Sequence, residues 1–352
     1  MTPLGTQIAA QIEAGGPITL AEYMALCLLH PAHGYYATRD PFGAAGDFIT
    51  APEISQMFGE LIGLSLAHAW LDQGAPARFA LVELGPGRGT LMADILRATR
   101  SVPGFAEAAE LHLIEASPVL RAAQHARVGT CAHHTDLATV PQMPIFAIAN
   151  EFFDALPIRQ FERRGLGWCE RRVGLTGGAL GFGLGPPGPV AALAHRLTDM
   201  RDGDVVELAS AACEVAGGLG ARIADHGGAA LLIDYGDWRS LGDTFQALSG
   251  HASVDPFAAP GQADLTAHVD FEALALASSP ARHTRLTPQG VFLERLGITA
   301  RAEALAAKLS GTALEGHIAA HRRLTHPAEM GTLFKVMGLY PEGAAPPPGL
   351  EP

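Results

Sequence analysis

The stretch Phe79–Thr90, FALVELGPGRGT, constrains this chain more than any other. Phe79 to Leu84 is a short apolar run rich in branched side chains, the pattern of a parallel strand buried on both faces. Gly85, Gly87 and Gly89 follow at every second position, and Leu91, Ile95 and Leu96 then recur at helical spacing. Strand, glycine turn and helix form the opening unit of a nucleotide-binding α/β sheet. Glycine there lets backbone N–H groups come close to a ligand at the start of a helix. The same spacing also serves a plain tight turn, so the glycines alone do not require a ligand.

The kind of loop narrows the ligand. A dinucleotide fingerprint counted from Gly85 needs Gly or Ala at position 90, where this chain has Thr90. An acid, Glu83, followed by G-x-G-x-G is instead the pattern of S-adenosylmethionine (SAM) methyltransferases. SAM has no pyrophosphate, so the loop, with Pro86 in it, need only pass beneath the methionine and ribose. Carboxylates can receive the ammonium and hydroxyl groups. The second strand, Glu110–Ala116, carries Glu115 near its end, about 26 residues past Gly89. Doubly wound folds hold a ribose diol at such a carboxylate, although an exposed strand-end glutamate needs no such task. Ser117-Pro118 opens the next helix as cap and first-turn proline. A third strand is expected at Gly129–His134, with Asp136 in the loop that often borders an adenine ring.

The fourth strand, Pro144–Ala149, runs into Asn150, Glu151, Phe152, Phe153 and Asp154. Ligands of open α/β sheets lie beyond the carboxyl ends of the strands. An amide, two carboxylates and two aromatics placed there read as an active-site edge, because burying an Asn-Glu pair without a task is costly. Asn150 and Asp154 could equally cap the next turn. Upstream, Ile8, Ile12 and then Leu20, Tyr23, Met24, Cys27 and Leu28 follow a helical period, with Thr19 and Glu22 spaced as a capping box. Residues 30–52, rich in Gly, Pro and aromatics, read as an ordered loop, in which Gly46-Asp47-Phe48 is either a tight turn or a lid over the cofactor.

Downstream, alternating runs at 158–163, 167–173 and 180–184 predict an antiparallel meander. A helix near 211–225 and a buried strand at Gly228–Tyr235, with Asp234 at its end, follow. Residues 237–270 read as an ordered loop, then come helices and a closing strand at Thr332–Leu339. The chain thus divides into N-terminal helices with an active-site loop (1–72), a SAM-binding Rossmann-like core (73–157 and 204–236) and an inserted meander (158–203). A helical substrate region with the closing strand (237–340) and a Pro/Gly/Ala-rich tail expected to be disordered (341–352) complete it.

At 352 residues, with 48% hydrophobic and 17% charged side chains, the chain is an ordered globular protein. Its net charge of −12 argues against nucleic acid as a partner, and no apolar run is long enough for a bilayer. The start of the chain lacks a basic region followed by an apolar segment, so a cytoplasmic protein is expected. Four cysteines with no C-x-x-C point to reduced thiols, and His133-His134 lacks the partners of a metal ligand, so no metal is expected.

Assembled, these stretches closely resemble the MidA-like methyltransferase family. The resemblance rests on 16–24 (GPITLAEYM), 30–36 (HPAHGYY), 46–63 (GDFITAPEISQMFGELIG) and 81–97 (LVELGPGRGTLMADILR). It continues through 150–161 (NEFFDALPIRQF), 232–236 (LIDYG), 263–271 (ADLTAHVDF) and 327–336 (PAEMGTLFKV). It spans about residues 4–339, with Phe245 where Leu is common. The resemblance implies an α/β fold with a seven-stranded SAM methyltransferase sheet, an N-terminal helical segment and an inserted antiparallel β/helical substrate region. Mitochondrial members act in respiratory complex I assembly by symmetric dimethylation of an arginine on a complex I subunit. A protein presenting an arginine is therefore the implied partner, and a homodimer is left open. If the acceptor is arginine, Glu151 and Asp154, with Asp47, Asn150 and Asp234, are the candidates to grip its guanidinium, and Phe152 or Phe153 would pack on its plane. Glu83, Gly85, Pro86, Gly87, Gly89, Thr90, Glu115, Ser117, Asp136 and Gly46 are the candidates to hold SAM. Methyl transfer to a small molecule or a lysine, a non-catalytic SAM-binding assembly factor and a nicotinamide dehydrogenase remain the alternatives.

Overall fold

A computed structural model describes residues 1–38 and 50–352. They fall into two units, each discontinuous in sequence: the described parts of Met1–Asp40, Asp154–Ala212 and Arg239–Asp270, and those of Pro41–Phe153, Cys213–Trp238 and Phe271–Pro352.

The second unit is built on a sheet whose main path runs in the order 282–283, 334–340, 228–237, 145–150, 79–84, 109–114 and 132–134, with Thr287–Pro288 pairing onto 334–340 off that path. Neighbours from Gly228–Asp237 to Ala132–His134 are parallel. Phe334–Tyr340 lies antiparallel to Gly228–Asp237. Every residue of Phe79–Leu84 and of Ile145–Asn150 is buried, which is why these strands read as continuous apolar runs rather than alternating ones. The Phe79 ring packs 4.9 Å from Phe105 and edge-on 5.1 Å from Phe146, with Trp70 edge-on to Phe105. Helix Gln56–Asp72 packs against helix Thr90–Thr99 so tightly that a Cβ on Gly63 would sit 2.9 Å from the Ile95 Cα.

The tail departs from expectation. Leu350 is buried and packs on the main hydrophobic cluster, the Ser65 hydroxyl donates to the Pro348 carbonyl at 3.0 Å, and Glu351 pairs with Arg295 at 2.7 Å. Prolines stiffen the free chain, so seating one leucine costs less entropy here than in an ordinary tail.

The first unit contains the expected meander, with strands Arg159–Arg164, Gly167–Thr176 and Ala179–Leu184. Val205–Leu208, assigned above to the cofactor core, instead pairs with Arg159–Arg164. Ile18–Thr19 pairs with Arg172 and Val173, and the following helix Leu20–Leu29 carries the anticipated Thr19/Glu22 capping box. Helix Gln56–Asp72 belongs to the other unit, so 1–72 is not one body. The stretch 237–270, read as loop, holds strands Gln246–Ser249, Ala252–Val254 and Asp264–Thr266. The buried Glu207 carboxylate organises this region, accepting from Gln160 Nε2, the Thr244 hydroxyl and N–H, and the Ser240 hydroxyl.

Candidate active site

The glycine turn at the end of Phe79–Leu84 is a run of left-handed residues. Gly85, Gly87 and Gly89 have φ of 66°, 51° and 78°. The Gly89 N–H donates to the Pro86 carbonyl at 2.7 Å, closing the turn directly before helix Thr90–Thr99. Beneath it lies Glu83, 3% exposed, with Oε2 buried and unpartnered among the described residues. Burial pushes its carboxyl up to about 8, against a lowering hydrogen bond from the Met92 N–H and reinforced by the Glu115 charge. An orphaned buried carboxyl oxygen under a glycine turn is a ready acceptor for a ligand cation or N–H.

Glu115, one residue past the neighbouring strand, is also buried. Its Oε1 accepts from the Ser117 N–H at 2.8 Å and its Oε2 from Gln124 Nε2 at 3.2 Å. Burial raises its pKa, while these two donors and the backbone lower it. One donor on each oxygen leaves lone pairs for a diol. Ser117 is the helix cap it was read as, and its backbone also orients Glu115. The Thr90 hydroxyl donates to Glu53 Oε1 at 2.5 Å and accepts from Arg127. Asp136 caps the short helix 137–139 through the Ala138 N–H.

At the end of the next strand the chain makes a sharp turn. Asn150 is in register with Ile233, and the Glu151 N–H donates to the Ile233 carbonyl at 2.9 Å. Glu151 then takes a left-handed φ of 51°, unusual for a residue with a side chain and costing on the order of 1 kcal/mol. The turn is held by fully buried Asp234, whose Oδ2 accepts from the N–H groups of Phe152 and Phe153 at 3.2 and 3.0 Å and whose Oδ1 accepts from the Tyr235 N–H. Glu151 Oε1 accepts from the Ala51 N–H and from Asn150 Nδ2, both at 3.2 Å. Asn150 Oδ1 is buried with no hydrogen-bond partner among the described residues. A strained turn carrying an acid and an unsatisfied amide oxygen, one parallel strand from the glycine loop, is an arrangement able to receive a ligand.

The predicted residues thus separate. Glu83, the glycine loop, Thr90, Glu115, Ser117, Asp136, Asn150 and Glu151 belong to one unit. Asp154 belongs to the other, where its carbonyl accepts the Ala267 N–H at 3.0 Å; burial, then the Asp264 charge, then the Asp154 carboxylate push the Tyr36 hydroxyl well above its usual pKa, and that hydroxyl donates to Asp264. Gly46 and Asp47, with the proposed lid, lie outside the described residues. Sequence reasoning missed Glu53, Arg127 and Gln124. Leu120 and Gln124, four residues apart, share a helix face, so a polar residue on an otherwise buried stripe was the available signal.

The raised Glu83 carboxyl has a measurable consequence. Below about pH 4.5 both folded and unfolded states hold its proton; between there and about 8 only the folded state does, so stability falls as pH rises. In Glu83→Gln the amide oxygen can keep the Met92 bond and nothing titrates. Thermal melts of the ligand-free protein from about pH 5 to about pH 8 should therefore show a flatter decline for the variant. Parallel curves would refute a protonated Glu83.

A parallel sheet with an acid-preceded glycine turn, a carboxylate just past its second strand and a polar edge after its fourth defines the SAM-dependent methyltransferase class. A family model described as "Putative S-adenosyl-L-methionine-dependent methyltransferase" matches residues 61–289. The chain is 37% identical to the mitochondrial protein arginine methyltransferase NDUFAF7 homolog of Drosophila melanogaster, over 96% of this chain and 85% of that one. It is 36% identical to protein arginine methyltransferase NDUFAF7, mitochondrial, of Homo sapiens, over 97% and 84%. A crystal structure from Burkholderia thailandensis, bound to S-adenosyl-homocysteine, superposes with a TM-score of 0.80 at 29% identity, covering 96% of this chain and 91% of that one. The chain belongs to this SAM-dependent methyltransferase family, and its cofactor is SAM. The relatives are mitochondrial by name, which overturns the expectation of a cytoplasmic protein.

Proposed function

We propose that this protein transfers methyl groups from SAM to an arginine of a protein substrate, giving symmetric dimethylarginine, and that the substrate is a respiratory complex I subunit or its bacterial counterpart. The strained acid-and-amide edge Asn150–Glu151, beside the glycine loop in a chain similar to protein arginine methyltransferases, carries this reading. On it, seven of the sheet's strands, in the order 132–134, 109–114, 79–84, 145–150, 228–237, 334–340, 282–283, make up the seven-stranded methyltransferase sheet, its last strand reduced to two residues.

SAM, when bound, supplies a methyl group activated on a sulfonium. Glu83 receives the ammonium, Gly85, Pro86, Gly87 and Gly89 shape the floor, Glu115 takes the ribose hydroxyls, and Thr90, Ser117 and Asp136 support them, with Gly46 from the N-terminal loop. Displacement in line needs alignment and exclusion of water more than proton chemistry. A guanidinium is a weak nucleophile because its lone pairs are delocalised and its charge permanent. Glu151, with Asn150, grips its fork and favours the form whose attacking nitrogen keeps its lone pair.

The test is incubation with methyl-labelled SAM and a lysate from a strain lacking the protein, followed by amino-acid analysis. Label recovered as symmetric dimethylarginine supports the proposal. Label on lysine or in the small-molecule fraction, or SAM binding with no label transferred, refutes it.

A further inference from the structure

Gln124 is fully buried yet makes three side-chain hydrogen bonds, two of them to the parts of the chain assigned to the cofactor. Its Nε2 donates to the Gly87 carbonyl at 2.7 Å and to Glu115 Oε2 at 3.2 Å. Its Oε1 accepts from His133 Nε2 at 2.8 Å. The Gly89 turn lies directly on it, since a Cβ added there would come within 3.4 Å of the Gln124 Cα. A glutamine amide can face either way, and the two ways are not equivalent here. Turned over, its oxygen would meet a carbonyl and a carboxylate, three acceptors together. The His133 N–H prevents this by occupying the amide oxygen, which requires the proton on Nε2. Burial, followed by the Arg121 charge, favours the neutral ring.

We propose that Gln124 is a positioning residue for SAM binding: its amide ties the glycine loop to the Glu115 carboxylate, and His133 sets the direction that amide faces. The proposal rests on the SAM reading of this loop. Without Gln124, one carbonyl of the loop and one carboxylate oxygen each lose a buried donor, and the two walls of the cofactor site are no longer held in a common register.

The experiment is calorimetric titration with S-adenosyl-homocysteine of the wild type, Gln124→Leu, His133→Leu, His133→Gln and the Gln124→Leu/His133→Leu pair. Gln124→Leu should weaken binding about tenfold, the equivalent of about 1.4 kcal/mol. His133→Leu should weaken it about threefold. His133→Gln, whose amide supplies the same donor, should restore near wild-type affinity. The double variant should be no weaker than Gln124→Leu, because His133 acts through Gln124. A merely structural part for these side chains would lower melting temperatures without the rescue or the missing additivity. Folded Gln124→Leu binding within about twofold of wild type would overturn the proposal. Should that variant fail to fold, equal affinities of His133→Leu and His133→Gln would overturn it instead. A wild type that does not bind at all sinks the cofactor reading itself, a failure distinct from an effect missing only in the variants.

Discussion

Replacing Glu151 by glutamine is expected to cut methyl transfer at least about a hundredfold while SAM affinity stays within a few-fold. The substitution is nearly isosteric. A glutamine oxygen can still accept from the Ala51 N–H and the Asn150 amide, so the bonds that Oε1 makes survive. The left-handed backbone costs glutamine and glutamate alike. What disappears is the negative charge at the strand end. A guanidinium loses both its counter-charge and the acceptor that keeps its attacking nitrogen's lone pair turned to the methyl group. On the proposed reading the cofactor contacts fall on other residues, chiefly Glu83 and Glu115, hence the split between transfer and binding. Labelled-methyl transfer and calorimetry on the same preparations measure both sides, and normal transfer by Glu151→Gln ends the guanidinium grip.

How far this site was legible in the sequence depended on whether its signal was local. Phe79–Leu84 and the glycines announce themselves, since burial on both faces needs an unbroken apolar run and the turn needs three residues at positive φ. The place of Glu115 at the end of the second strand was legible from the apolar run before it. Asp234 was visible only as an acid ending a strand. Its work, accepting the N–H groups of Phe152 and Phe153, is set by Ile233 lying opposite Asn150, a register that no local pattern reports. Val205–Leu208 went to the wrong body for the same reason. A four-residue apolar strand carries no label saying which sheet it will join. The strands within 237–270 are two to four residues long, and the acid that steadies the region, Glu207, lies far back in the chain. Gln124 was hidden by composition: a glutamine among charged and polar neighbours looks like surface until the helix face is drawn.

Gly85→Ala tests whether the strained turn at Glu151 and the glycine loop act as one mechanical unit. The residue has a φ of 66°, which costs an alanine on the order of 1 kcal/mol. Its Cβ would in addition sit 2.9 Å from Cδ2 of Phe152. The Phe152 backbone is held, because its own N–H and that of Phe153 are bound by the buried Asp234 carboxylate, so either the ring turns about its side-chain torsions or the loop shifts. A shifted loop would disturb the cofactor floor proposed above. Gly85→Ala is expected to weaken SAM binding about a hundredfold and to lower the melting temperature by several degrees. Backbone strain and collision are separable. In Gly85→Ala/Phe152→Leu the branched side chain clears the space of the ring, so the collision is relieved while the φ cost remains. Binding should then recover about tenfold, short of wild type, since a double-mutant cycle reports the contact between the two residues and not the backbone strain. If Phe152→Leu restores nothing, the alanine acts through φ alone, and the turn and the loop are independent. Recovery in the double variant would mean that the Phe152 ring fixes the height of the cofactor floor, so that the acid edge at Glu151 and the glycine loop move only together.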